Sequence, residues 1–335
     1  MQAYDLARSF AIIFTFLGHA VIAHTSHYWL DRSLASLSPG LTMSLLGFVS
    51  AALLAGRESD GGTFLIRRLC RIYVPLIVCL AAVLVMQAFI GTARINDHTA
   101  IHFMGLSWAL SLLNVANKAS VGGGLWFVTA ILAMYLLLPA LRRLFGHKRG
   151  LLHLIIVVAL CIVINRRVEV RDENWNVVIA FCVGTYLTVS GRMEGLLRRP
   201  VWLWAVLAAA LLGVCAVATV GDIPFWIRSL LFPFYPIVFV PLFFAVARHV
   251  PRPVMRAATL FALVSYEFYI LQFYFINKAL VDLTGISFPL PAAVAIGFVL
   301  TLAGACILYW PDSWLRARLE RYLLASSKAG RVQSS

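Results

Sequence analysis

Long apolar stretches run from one end of the chain to the other, broken by short clusters of Arg, Lys, Gly and Pro. A helix that crosses a bilayer needs about 20 mostly apolar residues. On that measure the pattern predicts ten spans, at 4–24, 38–56, 70–91, 123–144, 151–166, 175–191, 200–219, 226–247, 257–280 and 288–310. The fifth and sixth are short. Residues 92–122 interrupt the series with Arg94, Asp97, His98, His102, Asn114, Asn117 and Lys118. They read as a polar-leaning loop, with 101–115 as a partial, eleventh membrane segment the alternative. Gly122, Gly123 and Gly124 close this loop as a flexible lead into the next helix. The expected fold is all-α, a polytopic membrane protein of about ten transmembrane helices. It occupies residues 1–310, and 311–335 form a basic tail that starts as a short amphipathic helix and frays into a polar end.

Composition agrees with the pattern. Hydrophobic residues make up 61% of the 335 and charged residues 13%, against about 45–50% and about 25% in soluble domains. The spans use nearly all of the chain and leave no room for a separate soluble domain. The first run continues into further spans and lacks a small-residue cleavage site, so no cleavable signal peptide is expected. The six cysteines (Cys70, Cys79, Cys161, Cys182, Cys215 and Cys306) lie in or beside apolar runs and form no CxxC. They read as small buried hydrophobes, neither a disulfide framework nor a metal site.

A net charge of +14 would ordinarily point to nucleic acid or an acidic partner. Lys and Arg in short loops, however, mark the cytoplasmic side. With the N-terminus inside, 20 of the 28 basic residues fall in cytoplasmic segments, and the bias repeats at every such loop. Both termini are therefore expected in the cytoplasm. Most of the charge is topology, membrane lipid is the expected partner, and no nucleic acid is. The basic start of the tail fits a membrane-surface anchor.

The first span, YDLARSFAIIFTFLGHA, carries the most telling polar residues. Arg8 and His19 are eleven residues apart, so both emerge on one helical face, about 16 Å apart along the axis. Asp5 lies three residues before Arg8 and can pair with it. Ionisable groups within a span are costly and usually face a bundle interior or a wet cavity. His19 falls near mid-membrane, where a neutral imidazole can take a proton from a hydroxyl. The structural alternative has Arg8 snorkelling to the surface and His19 bonding a neighbouring helix. Elsewhere, Glu267 is intramembrane, placed to pair with a cytoplasmic arginine or to line a path. Lys278 and Asp282 are placed to pair locally, and His24 and His27 sit at the outer end of the first span. His98 and His102 lack a third ligand for a metal.

These residues carry a resemblance. YDLARSFAIIFTFLGHA resembles the first helix of membrane-bound acyltransferase family 3, with its D-x-x-R and a His eleven residues after the Arg. FLIRRLCRIYVPL is similar to that family's basic element, through Arg68, Arg71 and Pro75. GLWFVTAILAMYLLLP resembles its L-W-F helix through Trp126, Tyr135 and Pro139, and SYEFYILQFYF its late helix through Ser265 and Tyr269. Three departures stand out. GFVSAALLAG keeps Ser50 but has Ala51 and Ala52 where a Gly-Phe is frequent. Gln272 replaces a common His, and no acidic residue follows Trp126 closely.

The resemblance implies transfer of an acyl group, commonly acetyl, from cytoplasmic acyl-CoA to a hydroxyl of a surface or exported glycan. Acyl-CoA is then the co-substrate, with no bound cofactor or metal. A glycan acceptor, and a polysaccharide synthesis or export complex, are the further partners it suggests. His19 becomes the general base and Arg8 its catalytic companion. Arg68, Arg71 and, more weakly, Arg67 supply cations for the donor's phosphates, although topology alone also accounts for them. Asp5, Ser50, Trp126 and Glu267 are the supporting candidates, Trp126 being equally suited to packing or an interfacial belt. A bacterial cytoplasmic membrane is the expected location. The rival reading is a polytopic transporter or flippase for a glycan or lipid-linked sugar. Intramembrane Arg, His and Glu suit one, but no inverted repeat or pair of broken helices supports it.

Overall fold

In a computed structural model the described residues are 2–24, 38–56, 61–168, 172–221, 230–276 and 289–333. His27, Arg32, Arg57, Arg171, Arg228, Lys278, Asp282 and the side chain of His24 lie outside them. Among the described residues every regular element is helical. In chain order these are α1 (Gln2–His24), a π-turn at Ser38–Met43 running into α2 (Ser44–Ala55), and α3 (Gly61–Phe89). Two short helices follow, α4 (Asp97–Phe103) and α5 (Ser107–Leu112), and then α6 (Trp126–Gly146). Next come α7 (Gly150–Val168), α8 (Asp172–Val189), α9 (Arg192–Leu197) and α10 (Val201–Val220). A 3-10 turn at Phe232–Phe234 leads into α11 (Tyr235–Val246), followed by α12 (Arg252–Tyr274) and α13 (Leu290–Gln333).

Among the described residues five helices are long and apolar enough to cross a membrane: Gly62–Phe89, Trp126–Gly146, Gly150–Arg167, Arg252–Tyr274 and Leu290–Ser326. Shorter apolar helices occupy Gly40–Ala55, Trp175–Val189, Val201–Val217 and Phe232–Val246. The protein is an all-α polytopic membrane protein, as the apolar pattern predicts. The chain forms two compact units. The first comprises Met1–Arg57, Leu137–Ser265 and Ser287–Ile296, and the second Glu58–Leu136, Tyr266–Ile286 and Gly297–Ser335.

In the first unit α2 and α8 cross at close range. A Cβ at Gly184 would stand 2.8 Å from the Phe48 carbonyl oxygen and 3.2 Å from the Ala51 Cβ. Small residues at such a crossing let backbones approach where lipid offers no hydrophobic drive. Ala51 is fully buried there, so the space at this departure from the family pattern is filled by α8. Helix α1 packs beside them, with Tyr4 edge-on to Phe244 at 4.9 Å, Phe10 against Phe243 at 5.3 Å and Thr15 Oγ1 bonded to Thr42 Oγ1 at 2.7 Å.

In the second unit residues 92–122 differ from the expected loop. They leave the end of α3, fold into α4 and α5, and turn back alongside the middle of that same helix. The Tyr73 hydroxyl donates to the Met104 carbonyl at 2.9 Å. A Cβ at Gly105 would meet Leu76, Val128 and Leu132. Tyr73 is fourteen residues, about 21 Å, from Gln87, whose side chain holds the returning chain at Ser120. Irregular backbone at that depth persists only with its polar groups satisfied. Thr129 Oγ1 donates to the Gly105 carbonyl at 2.6 Å and accepts from the Trp108 N–H at 3.1 Å. The segment is thus re-entrant, which favours the partial-segment alternative for 101–115.

The glycines that close it are clamped rather than loose. Gly122 has φ +90°, and a Cβ there would overlap the His102 ring, while one at Gly123 would overlap Phe273. At the other end of the chain α13 continues without a break from the tenth expected span to Gln333, with Pro311 inside it. The expected fraying does not occur. Pairs one turn apart support the extension: Asp312 with Arg316 at 3.7 Å, and Arg318 over the Trp314 ring at 5.3 Å.

Candidate functional site

The functional candidates divide between the two units. In the first, Arg8 is turned inward onto α12. Its Nη2 donates to the Ala262 carbonyl and to Ser265 Oγ, each at 3.4 Å, and its Nη1 lies 4.0 Å from Asp5 Oδ1. Ser265 donates its own hydrogen to the Ala262 carbonyl at 2.9 Å, which leaves its lone pairs for Arg8. One residue on, Ser9 donates to the Ala258 carbonyl at 2.8 Å. Residues 258, 262 and 265 share one face of α12, so Arg8 and Ser9 together seat α1 on that stripe. Arg8 is 30% exposed. The snorkelling alternative is replaced by a docked guanidinium with named acceptors.

His19 stands three turns further along α1, half-buried, between the fully buried Phe16 and the buried Ala20. One unbroken helix holds Arg8 near its start and His19 eleven residues further on along the same side. Ser50, on α2, is half-buried, and no hydrogen bond among the described residues joins it to Arg8 or His19.

The second unit holds the other candidates. Arg67 and Arg71 are exposed at the start of α3, and Arg68 is half-buried with its guanidinium over the Phe64 ring at 5.7 Å. Phe64 and Arg68 are the first and fifth positions of the basic element, so helical spacing alone brings them together. Trp126 opens α6, half-buried and edge-on to Phe127 at 6.2 Å. Phe127 meets Tyr269 at 5.8 Å, and the Tyr269 hydroxyl donates to the Gly124 carbonyl at 2.6 Å. The L-W-F helix and the late helix are therefore locked together through their own motif residues. Gln272, where a His is common in the family, is buried.

Glu267 is 1% exposed, and its first partner is another acid. Asp312, 0% exposed, acts on it electrostatically. Arg316 stands 3.7 Å from Asp312. It acts electrostatically on both carboxyls, and Arg71 on Asp312. Asp312 and Arg316 are not among the candidates named from sequence, although an Asp four residues ahead of an Arg in WPDSWLR is a visible signal.

His102 is a loop staple. Asn117 Nδ2 donates to the Val121 carbonyl at 2.8 Å, which orients the amide so that Asn117 Oδ1 accepts from His102 Nε2 at 3.0 Å. The other ring nitrogen, Nδ1, then accepts from Ser107 Oγ at 2.8 Å. Burial pushes the His102 pKa down, and His98 adds to that. His98 Nδ1 accepts the Lys118 N–H at 3.0 Å. Among the described residues no cluster of three or more His, Cys, Asp or Glu could hold a metal.

The model of a protein family described as an acyltransferase domain matches residues 1–310. No curated protein and no solved structure matches the chain.

Proposed function

The chain belongs to acyltransferase family 3 and is a multi-pass membrane acyltransferase, and from that premise we propose that it moves an acyl group, acetyl by the family's habit, from cytoplasmic acyl-CoA to a hydroxyl of a surface or exported glycan. The observation that carries this reading is the arrangement on α1. Arg8 is fixed on α12 by Ala262 and Ser265, and His19 lies three turns deeper on the same side. In the proposed step His19 takes the proton of the acceptor hydroxyl as its oxygen attacks the thioester carbonyl. The C–S bond breaks, and the departing CoA thiolate recovers the proton as a thiol. Arg8 offers positive charge to the donor on its way to His19. Arg68 and Arg71, with Arg67, pair with the CoA phosphates at the cytoplasmic end of α3. The membrane proposed is the bacterial cytoplasmic membrane, with both termini inside. The transporter reading is displaced by the family match.

The test is His19→Ala in membranes supplied with radiolabelled acetyl-CoA. The expected result is loss of label from glycan while the protein remains inserted and acetyl-CoA still binds. Full transfer by a normally inserted variant would reject the role of His19.

A further inference from the structure

Within the second unit, at the far end of α3 from the arginines, lies a cavity of about 480 Å3. That volume falls in the range of small-molecule sites, about 300–1,000 Å3. Its walls come from the last turn of α3, the irregular stretches that lead into and out of the re-entrant segment, and the end of α12. They include Gln87, Arg94, Ser120, Phe273 and Tyr274. Arg68 and Gln87 are nineteen residues apart on one helix, about 28 Å, close to the thickness of a bilayer's hydrocarbon core, about 30 Å. The cavity and the basic element therefore occupy opposite membrane faces.

The rim is built before any ligand arrives. Gln87 Nε2 donates to the Ser120 carbonyl at 3.0 Å, and Ser120 Oγ donates back to Gln87 Oε1 at 2.6 Å. The Ser120 N–H donates to the Arg94 carbonyl at 3.2 Å, and the Arg94 N–H to Ser120 Oγ at 3.1 Å. Gln87, Arg94 and Tyr274, so held, all line the cavity. The Tyr274 hydroxyl accepts the Gly122 N–H at 2.7 Å, which leaves its own hydrogen to give. One amide hydrogen of Gln87 is likewise left over. Arg94 is exposed, and among the described residues lining the cavity it is the only charged one and no acidic residue stands beside it. Phe273 adds an apolar ring. Planar amide, hydroxyl and aromatic groups suit a hydroxylated ring with one polar edge and one C–H face, and a guanidinium suits a carboxylate.

We propose that this cavity is the acceptor subsite and takes an acidic sugar, a pyranose bearing a carboxylate that pairs with Arg94. The proposal rests on the glycan-acylating reading above and adds the substrate class and its location. A lipid headgroup is the rival occupant. The hydrogen-bonded walls and ring-sized volume favour the sugar over a headgroup, which needs only a charge at the surface.

The test uses the full chain in lipid nanodiscs without acyl donor, by saturation-transfer NMR with methyl β-glucuronide and methyl β-glucoside. Wild type should bind the glucuronide at least tenfold more tightly than the glucoside. Arg94→Gln should abolish that preference, Arg94→Lys should restore part of it, and Tyr274→Phe should weaken binding several-fold. Arg198→Gln, at a highly exposed arginine of the first unit, should change nothing. Equal binding of the two glycosides would overturn the proposal, as would binding indifferent to Arg94→Gln. Displacement of the glucuronide by phosphatidylglycerol in the disc would assign the cavity to headgroups and overturn it as well. Acetyl-CoA transfer measured on the same preparations separates the two ideas. Transfer without glucuronide binding sinks the subsite alone, and glucuronide binding without any transfer to glycan sinks the glycan-acylating reading.

Discussion

The Arg8 guanidinium and the Ser265 hydroxyl stand 3.4 Å apart, joining the first helix to the late one across 257 positions of sequence. Ser265 supplies an acceptor only because its own hydrogen is already directed to Ala262. Ser265→Ala should therefore cost activity by a few-fold, since the Ala262 carbonyl remains and the lost bond is long. Arg8→Ala should cost far more, as it removes both bonds and the charge. Arg8→Lys should fall between them, a point charge being unable to fork to two acceptors. Acyl transfer in membranes, normalised to inserted protein, orders the three variants; Ser265→Ala as damaging as Arg8→Ala would break the scheme.

Asp312 and Arg316 answer to a different measure. Removing the cation in Arg316→Ala leaves a buried carboxyl pair with less compensation, and breaking a buried pair in this way costs about 3–5 kcal/mol. Partial exposure of Arg316 and the presence of Arg71 place the expected loss toward the lower end. Asp312→Asn keeps a hydrogen-bonding group beside Glu267 and should be milder. Thermal unfolding in detergent should rank Arg316→Ala below Asp312→Asn and wild type.

The His102 staple makes the re-entrant segment sensitive to acid. Its pKa is lowered from the ordinary 6.5, first by burial, so the folded segment favours the neutral ring. The stabilisation is present in full above the ordinary value and fades as pH falls below it toward the lowered one. Amide exchange over 97–121, corrected for its intrinsic pH dependence, should be faster at about pH 5.5 than at about pH 7.5. His102→Gln should abolish that difference; an unchanged difference would remove His102 from the account.

Gly122→Ala should destabilise the protein more than most surface changes, by about 1–3 kcal/mol from the positive φ alone, with the His102 ring as a second obstacle. Gly195→Ala, where a Cβ meets nothing within 4 Å, is the matched control and should be neutral or slightly stabilising. Unfolding midpoints of the two variants decide the matter.

Much of this was legible in the residues. Apolar run length locates the helices, because a bilayer sets the length of what crosses it. Arg8, Asp5 and His19 are readable because helical spacing is arithmetic. The re-entrant segment was legible only as the alternative to a polar loop. Its polar residues, His102 and Asn117 above all, suggest solvent, yet they satisfy one another and the backbone, and a closed polar network is buried as readily as an apolar one. The seat of Arg8 on Ala262 and Ser265 could not be read from spacing, since tertiary packing alone brings α1 to α12. Glu267 was legible as intramembrane but not as half of a carboxyl pair, because Asp312 follows the last apolar run and looks like a solvated residue there.

Helix α3 turns these observations into a question of register. It is a single rod with Arg68 near one end and Gln87 near the other, so the angle between basic element and cavity is set by residue count. One inserted residue would swing one end by about 100° against the other while lengthening the rod by only about 1.5 Å. Deletions and insertions within it are therefore tolerated only in near-whole turns, and the span between the two chemistries can change only in steps. Bilayer thickness varies smoothly, but α3 can follow it only by tilting.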